Sequence, residues 1–311
     1  METDQPELSN GAIEHRTRIA GKGKNRLVEL IITAFLGLLA CISIFPFYNV
    51  LITSFGEASA MAKQSVYLIP TSFNLTAYEY IFSGDKILKS FLISFVVTVG
   101  GTFTNLLLSL CGAYALSKRT MPGRNIMLYM ILFTMFFSGG LIPYYLTVKD
   151  IGLVNNILVM IVPLAVNTFY LIIVMSYFRT LPPALEESAK IDGANDIQIL
   201  AKIIIPISMP TIAAVGLFYA VDRWNEWWHA MLFISDINKY PLQLLLRQVL
   251  VNFNEILQNG IASSMAQKAA GIYPDTIKMA VVVVASIPIL LVYPFLQKYF
   301  TKGMMLGSIK G

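Results

Sequence analysis

Polar and apolar positions separate along this chain into long blocks rather than short alternations. Six windows carry no Asp, Glu, Lys or Arg: Leu30–Phe55, Ser90–Ser117, Asn125–Val148, Ile151–Phe178, Ile203–Val221 and Met279–Gln297. They run from 19 to 28 residues. A bilayer core of ~30 Å takes ~20 helical residues to cross. The pattern therefore predicts six membrane helices, near 30–55, 90–117, 125–148, 151–178, 203–228 and 279–297. Lipid cannot satisfy an unpaired backbone, so each run is expected to be helical. A soluble all-helical protein would need amphipathic helices to cover these runs, and the sequence does not supply them.

Composition agrees. Of 311 residues, 56% are hydrophobic and 13% charged, about half the charged share of a soluble domain. Mean hydropathy is +0.65. These values exclude a cytosolic enzyme, a disordered chain and a disulfide scaffold. The net charge of +5 does not point to nucleic acid, because Lys and Arg mostly flank the apolar windows. With the N-terminus inside, the inner segments carry 14 of them in 74 residues and the outer segments 9 in 93. The bias puts both termini in the cytoplasm, with 1–29 a basic tail and 30–311 a transmembrane domain. The first window is too long for a signal peptide and no cleavage site follows it. Cys41 and Cys111 lie within apolar windows and read as buried thiols. No metal-ligand spacing occurs around His15 or His229.

Prolines punctuate the spans. Pro143 follows Gly139-Gly140 and is expected to cost a helical hydrogen bond to the Gly139 carbonyl. Pro163, Pro206, Pro210, Pro288 and Pro294 fall in later spans. Broken membrane helices suit a transport path, and kinks that merely improve packing look the same in sequence.

The cytoplasmic stretch 181–202 is the most informative. Pro183 suits a first helical turn, and Glu186 and Glu187 complement the helix dipole there. Gly193 can take the left-handed conformation that ends a helix. Asn195 with Gln198 predicts a capping box that opens a second helix. The short helix offers Leu185, Ala189 and Ile191 as apolar surface among Glu186, Glu187 and Asp192. Either it inserts into a groove on a cytoplasmic partner, or it simply joins two spans at the interface.

These residues resemble the EAA loop of permease subunits in binding-protein-dependent ABC importers. Glu187-Ser188-Ala189 is followed after three residues by Gly193, and after nine intervening residues by Ile203-Ile204-Ile205-Pro206. Ser188 and Ile205 depart mildly from the family's Ala and Leu. Ile191-Asp192-Gly193-Ala194 is similar to the carbohydrate-uptake branch. Gly139-Gly140-Leu141-Ile142-Pro143, Trp224-Asn225 and the end Gly303–Gly311 resemble a maltose-type subgroup. That subgroup serves polysaccharide fragments such as aldouronates and pectic oligosaccharides, largely in Gram-positive bacteria.

The resemblance implies an all-α, six-helix permease of the type I ABC importer fold in a bacterial plasma membrane. It implies coupling to an ATPase through Glu187 and Gly193, with Glu186, Ser188, Ala189 and Asp192 beside them. It also implies partners: a second permease forming a heterodimer, two ATP-binding subunits, an extracellular solute-binding protein and an oligosaccharide. The sequence has no Gly-x-x-x-x-Gly-Lys-Ser/Thr loop, so ATP and Mg belong to the ATPase and no cofactor is expected in this chain.

Substrate contacts are less defined. In Asp222-Arg223-Trp224-Asn225-Glu226-Trp227-Trp228, Arg223 and Glu226 can pair on one helix face. Trp224 and Trp227 can stack on sugar rings, and Asn225 and Glu226 can bond hydroxyls. A tryptophan belt at the outer interface fits equally. Gly139 and Gly140 join these as pathway candidates. Leu242, Leu245, Leu246, Val249, Phe253, Ile256 and Leu257 recur at helical spacing and suggest an outer amphipathic helix, though a plain loop is equally compatible. Segment 258–274 and Tyr67, Tyr78 and Tyr80 are candidate binding-protein contacts. The alternatives are the same architecture for a non-sugar solute, an ion-coupled secondary transporter, which would favour intramembrane charge and inverted repeats, and a membrane enzyme, for which no catalytic constellation occurs.

Overall fold

A computed structural model of the chain describes residues 22–56, 73–82, 85–258 and 274–307. All regular structure among them is helical. The chain divides into two compact units, 1–49 and 50–311. The first contains most of α1 (Lys22–Ser54), whose Val28–Ser54 stretch is long and apolar enough to cross a membrane.

The second unit is built around α3 (Asp85–Ser117), also long and apolar enough to span. It follows the short α2 (Thr76–Phe82). Then come α4 (Arg124–Phe136), α5 (Leu141–Asp150), a 3₁₀ turn at Ile157–Met160 and α6 (Thr168–Phe178). The 181–206 stretch forms α7 (Ala184–Ile191) and α8 (Asp196–Ile207). The chain continues as α9 (Met209–Trp224), α10 (Trp228–Phe233), α11 (Leu242–Gln258) and α12 (Pro274–Gly307).

The main core joins α3, α6, α7, α8 and α9 through Leu110, Tyr114, Val174, Phe178, Ile199, Ile204, Val215 and Tyr219. Small residues let α3 and α9 approach closely, as membrane helices do. A Cβ on Gly101 would lie 2.8 Å from Cδ of Arg223. Elsewhere α3 turns Leu92, Phe95, Val96, Val99, Phe103 and Leu107 outward. So continuous an apolar exterior is what a lipid-facing surface requires.

Three predicted spans are not the single helices expected. The 125–148 window breaks at residues 137–140, and α4 and α5 meet at 117°. Pro143 falls in the first turn of α5, where no helical donor is required of it, so it opens a helix instead of kinking one. The 151–178 window is helical only at the 3₁₀ turn and in α6. Pro163 occupies the irregular stretch between them. In the fifth window, Ser208 and Pro210 mark an 88° bend between Asp196–Ile207 and Met209–Phe233. Pro288 and Pro294, by contrast, lie inside the continuous α12.

Three polar side chains explain how unwound backbone is accommodated near 157–167. Arg223 Nη1 donates to the Met160 carbonyl at 3.0 Å. Asn105 Nδ2 donates to the Leu164 carbonyl, and the Asn167 amide donates to the Tyr219 hydroxyl at 3.2 Å. That hydroxyl also bonds Ser109 Oγ at 2.7 Å. Groups that a regular helix would have paired internally are thus satisfied from α3 and α9. Sequence patterning could not foresee this, because the partners lie 52 to 63 residues away.

Candidate functional site

The 181–206 segment folds as its local signals predict. Glu186 and Glu187 lie in the first turn of α7. Gly193 has φ +82°, a left-handed conformation that strains any residue with a Cβ. Its amide bonds the Lys190 carbonyl at 3.0 Å, and the Ala194 amide bonds the Ala189 carbonyl at 2.9 Å. Asn195 Oδ1 accepts from the Gln198 amide at 2.9 Å, while Gln198 Oε1 accepts from the Asn195 amide at 3.0 Å. This reciprocal capping box starts α8. A π-helical turn at Leu200–Ile204 then carries the chain toward the bend at Ser208.

The two faces of α7 differ in character. Ala189 is only 7% exposed and packs into the main core, and Leu185 is half-buried. Glu186 forms an ion pair with Lys118. The Lys118 ammonium also lies 4.0 Å over the Tyr114 ring. Burial alone would lower the Lys118 pKa, but hydrogen bonds to Glu186 and Tyr114 outweigh it and the net shift is upward. The raised value keeps Lys118 charged at neutral pH, and its side of the pair is lost as pH rises past that shifted value. Glu187, Ser188, Ile191, Asp192 and Gly193 are exposed, Ile191 at 86%. Of the six predicted coupling residues, Glu186 and Ala189 thus turn toward their own chain and the other four turn away. Ile197 on α8 adds a second exposed aliphatic group.

The outer cluster follows a different rule. Trp224 is 6% exposed, lies edge-on to Phe91 at 5.7 Å, and donates Nε1–H to the Ala285 carbonyl at 3.3 Å. It packs with Leu242 and Ala285, so it is neither a belt residue nor an open sugar platform. Arg223 does not pair with Glu226. It is 7% exposed and committed to Met160, whereas Glu226 Oε1 accepts from the His229 amide at 2.9 Å and lies 3.0 Å from His229 Nδ1. Asn225 is exposed, with Nδ2 donating to the Val221 carbonyl at 2.9 Å. Trp227 is half-buried, with the Arg247 guanidinium 4.6 Å over its ring. Gly139 and Gly140 are exposed at the α4–α5 bend, where Gly140 has φ +86°.

Sequence reasoning missed a second aromatic group between α6 and α9. Tyr170 stacks on Phe218 at 5.7 Å, lies edge-on to Tyr219 at 4.9 Å, and donates to Asp222 Oδ2 at 3.1 Å. Its only sequence signal is a tyrosine within an apolar run. The amphipathic stretch forms the helix α11 and not a plain loop, with Leu242 of the predicted face buried, Leu245, Leu246 and Val249 half-buried, and Leu244, outside that pattern, buried as well. Tyr78 is held by the Ser54 hydroxyl at 2.7 Å, and Tyr80 packs beside Ile277 and Val281. Tyr67 and residues 259–273 lie outside the described residues.

Comparison with known proteins gives these positions a context. No protein-family model matches the chain. The polygalacturonan/rhamnogalacturonan transport system permease protein YtcP of Bacillus subtilis is 48% identical over 290 residues, 93% of this chain and 100% of that relative. Protein LplC of the same organism is 44% identical over 92% of this chain and 96% of its own. A crystal structure of a bacterial ABC transporter involved in the import of the acidic polysaccharide alginate superposes with a TM-score of 0.84 at 31% identity, covering 90% of this chain and 99% of that one. The chain belongs to the family of ABC importer permease subunits, the membrane components of these transport systems.

Proposed function

We propose that this chain is the permease through which an ATP-driven importer passes oligosaccharides delivered by an external solute-binding protein. The relation to YtcP, a polygalacturonan/rhamnogalacturonan permease, and to the alginate importer supports fragments of acidic polysaccharides as the substrate class. The chain crosses the plasma membrane of a Gram-positive bacterium six times with both termini inside. The basic tail 1–29 and the transmembrane domain 30–311 keep the boundaries of the charge pattern. The third and fifth crossings are bent pairs, and the fourth relies on backbone stapled by Arg223, Asn105 and Tyr219. A second permease completes a heterodimer with two ATP-binding subunits, which hold ATP and Mg.

The observation that carries this reading is the outward face of α7. A short helix ending at a left-handed glycine presents Glu187, Ser188, Ile191 and Asp192 to the exterior, while its other face is anchored in the core. Such a rigid knob suits a cleft on an ATPase. Closure of that partner would push α7 and turn the cavity outward to receive sugar, and hydrolysis would reset it inward. On the sugar side, exposed Asn225, half-buried Trp227 and the Gly139–Gly140 bend remain pathway candidates. Trp224 and Glu226 are engaged within the chain, with the Ala285 carbonyl and the His229 amide, which supports a structural role for them.

The test is purification of the chain with its candidate partners, followed by ATPase assays with the binding protein and a panel of oligosaccharides. Stimulation by galacturonate-containing oligosaccharides is expected. Absence of any co-purifying ATPase would contradict the reading.

A further inference from the structure

The inward face of α7 suggests a role that the outward face does not. Glu186 and Ala189 are three residues apart and share that face. Ala189 seats the helix in the core, and Glu186 reaches Lys118, the residue immediately after α3. Both side chains of this ion pair are largely shielded, at 20% and 26% exposure. The end of α3 is itself tied down. The Leu116 carbonyl accepts from Arg124 Nε at 2.7 Å, at the start of α4, and from Arg179 Nη2 at 3.3 Å, at the end of α6. One short turn, 116–118, therefore gathers α3, α4, α6 and α7.

We propose that Lys118 and Glu186 form a latch that makes the end of α3 a second route for movement of α7. Among the described residues, α7 is otherwise joined to the spans through its chain neighbours, an exposed Lys190–Asp196 ion pair to α8 and apolar packing. Packing allows a helix to slide, whereas a shielded ion pair resists changes in separation between its two charges. The pair also holds Glu186 off the outward face, so Lys118 and Glu186 are positioning residues and not partner contacts. The α3 helix packs along α9, which ends at Asp222–Trp224, so displacement of the latch is passed to the element that bears the outer cluster. A rigid, continuous element joining two sites is the kind of connection that carries energetic coupling.

This inference rests on α7 being the ATPase-docking element. The experiment uses the complete transporter in proteoliposomes, with binding protein and a galacturonate oligosaccharide as probe. Lys118→Met and Glu186→Gln are compared with Lys118→Arg and with the charge swap K118E/E186K. Uptake per ATP hydrolysed should fall about 5-fold in the two neutral variants, with ATPase subunits still co-purifying. Lys118→Arg should retain the wild-type ratio, and the swap should recover most of it. A wild-type ratio in the neutral variants, or a swap no better than they are, overturns the latch. Loss of the ATPase subunits from the neutral variants also overturns it, because Glu186 would then belong to the partner face. Ile191→Asp separates the underlying reading: retention of ATPase subunits at the wild-type level by that variant would remove the docking role itself.

Discussion

The loop segment 181–206 and the cluster 222–229 contain similar chemistry, acidic groups beside apolar ones, yet they are built by different means. In the first, the determining interactions join residues three to five apart: the Asn195–Gln198 box and the turn that closes on Gly193. In the second, the buried side chains are held from 61 to 63 residues away, with Trp224 reaching Ala285 and Arg223 reaching Met160, and Asn225 and Glu226 bond locally. A local device survives being moved to the surface. A side chain held by distant backbone becomes part of the core, whatever function its type suggests.

Substitutions can break this contrast. The largest stability effect is expected at Trp224. Its replacement by Ala leaves a cavity beside Phe91, Leu242 and Ala285 and should cost on the order of 3 kcal/mol. Thermal unfolding in detergent should show a clear drop. An unchanged midpoint would return Trp224 to the list of sugar contacts. A smaller loss is expected for Asn195→Ala, about 1 kcal/mol, because only one cap is removed. It should appear as faster hydrogen exchange confined to the start of α8. Asn225→Ala should be nearly neutral for stability, since Asn225 is exposed and bonds only its own helix end among the described contacts. Reduced oligosaccharide uptake in that stable variant would separate a sugar contact from a wall residue.

The same contrast explains what the sequence made legible. Helical class, long apolar segments and the motif with its capping box follow from composition, periodicity and short-range geometry, and all are visible without a structure. Gly139-Gly140, Pro143 and Pro163 marked breaks in the spans, but neither the 117° bend at 137–140 nor the irregular stretch near Pro163 could be told from a mild kink. Charge-free windows distinguish membrane from water, but they do not distinguish a straight helix from a broken one whose backbone is satisfied by Asn105, Tyr219 and Arg223. Arg223 looked like a partner for Glu226 because three residues separate them, and burial beside Gly101 redirected it. Both faces of α7 looked available because the loop sequence contains no sign of Lys118, 68 residues earlier.

The central claim is that motion enters this permease through α7 and is aimed by the turn at Gly193. A valine there would have to hold φ near +82°, where a β-branched residue is strained by roughly 1–2 kcal/mol or more. The direct measurement is binding-protein-stimulated oligosaccharide uptake and ATP hydrolysis by the reconstituted Gly193→Val transporter. Normal membrane insertion, continued hydrolysis and uptake reduced at least about tenfold are expected, the factor that about 1.4 kcal/mol of lost coupling would produce. Wild-type uptake per ATP in that variant would contradict it.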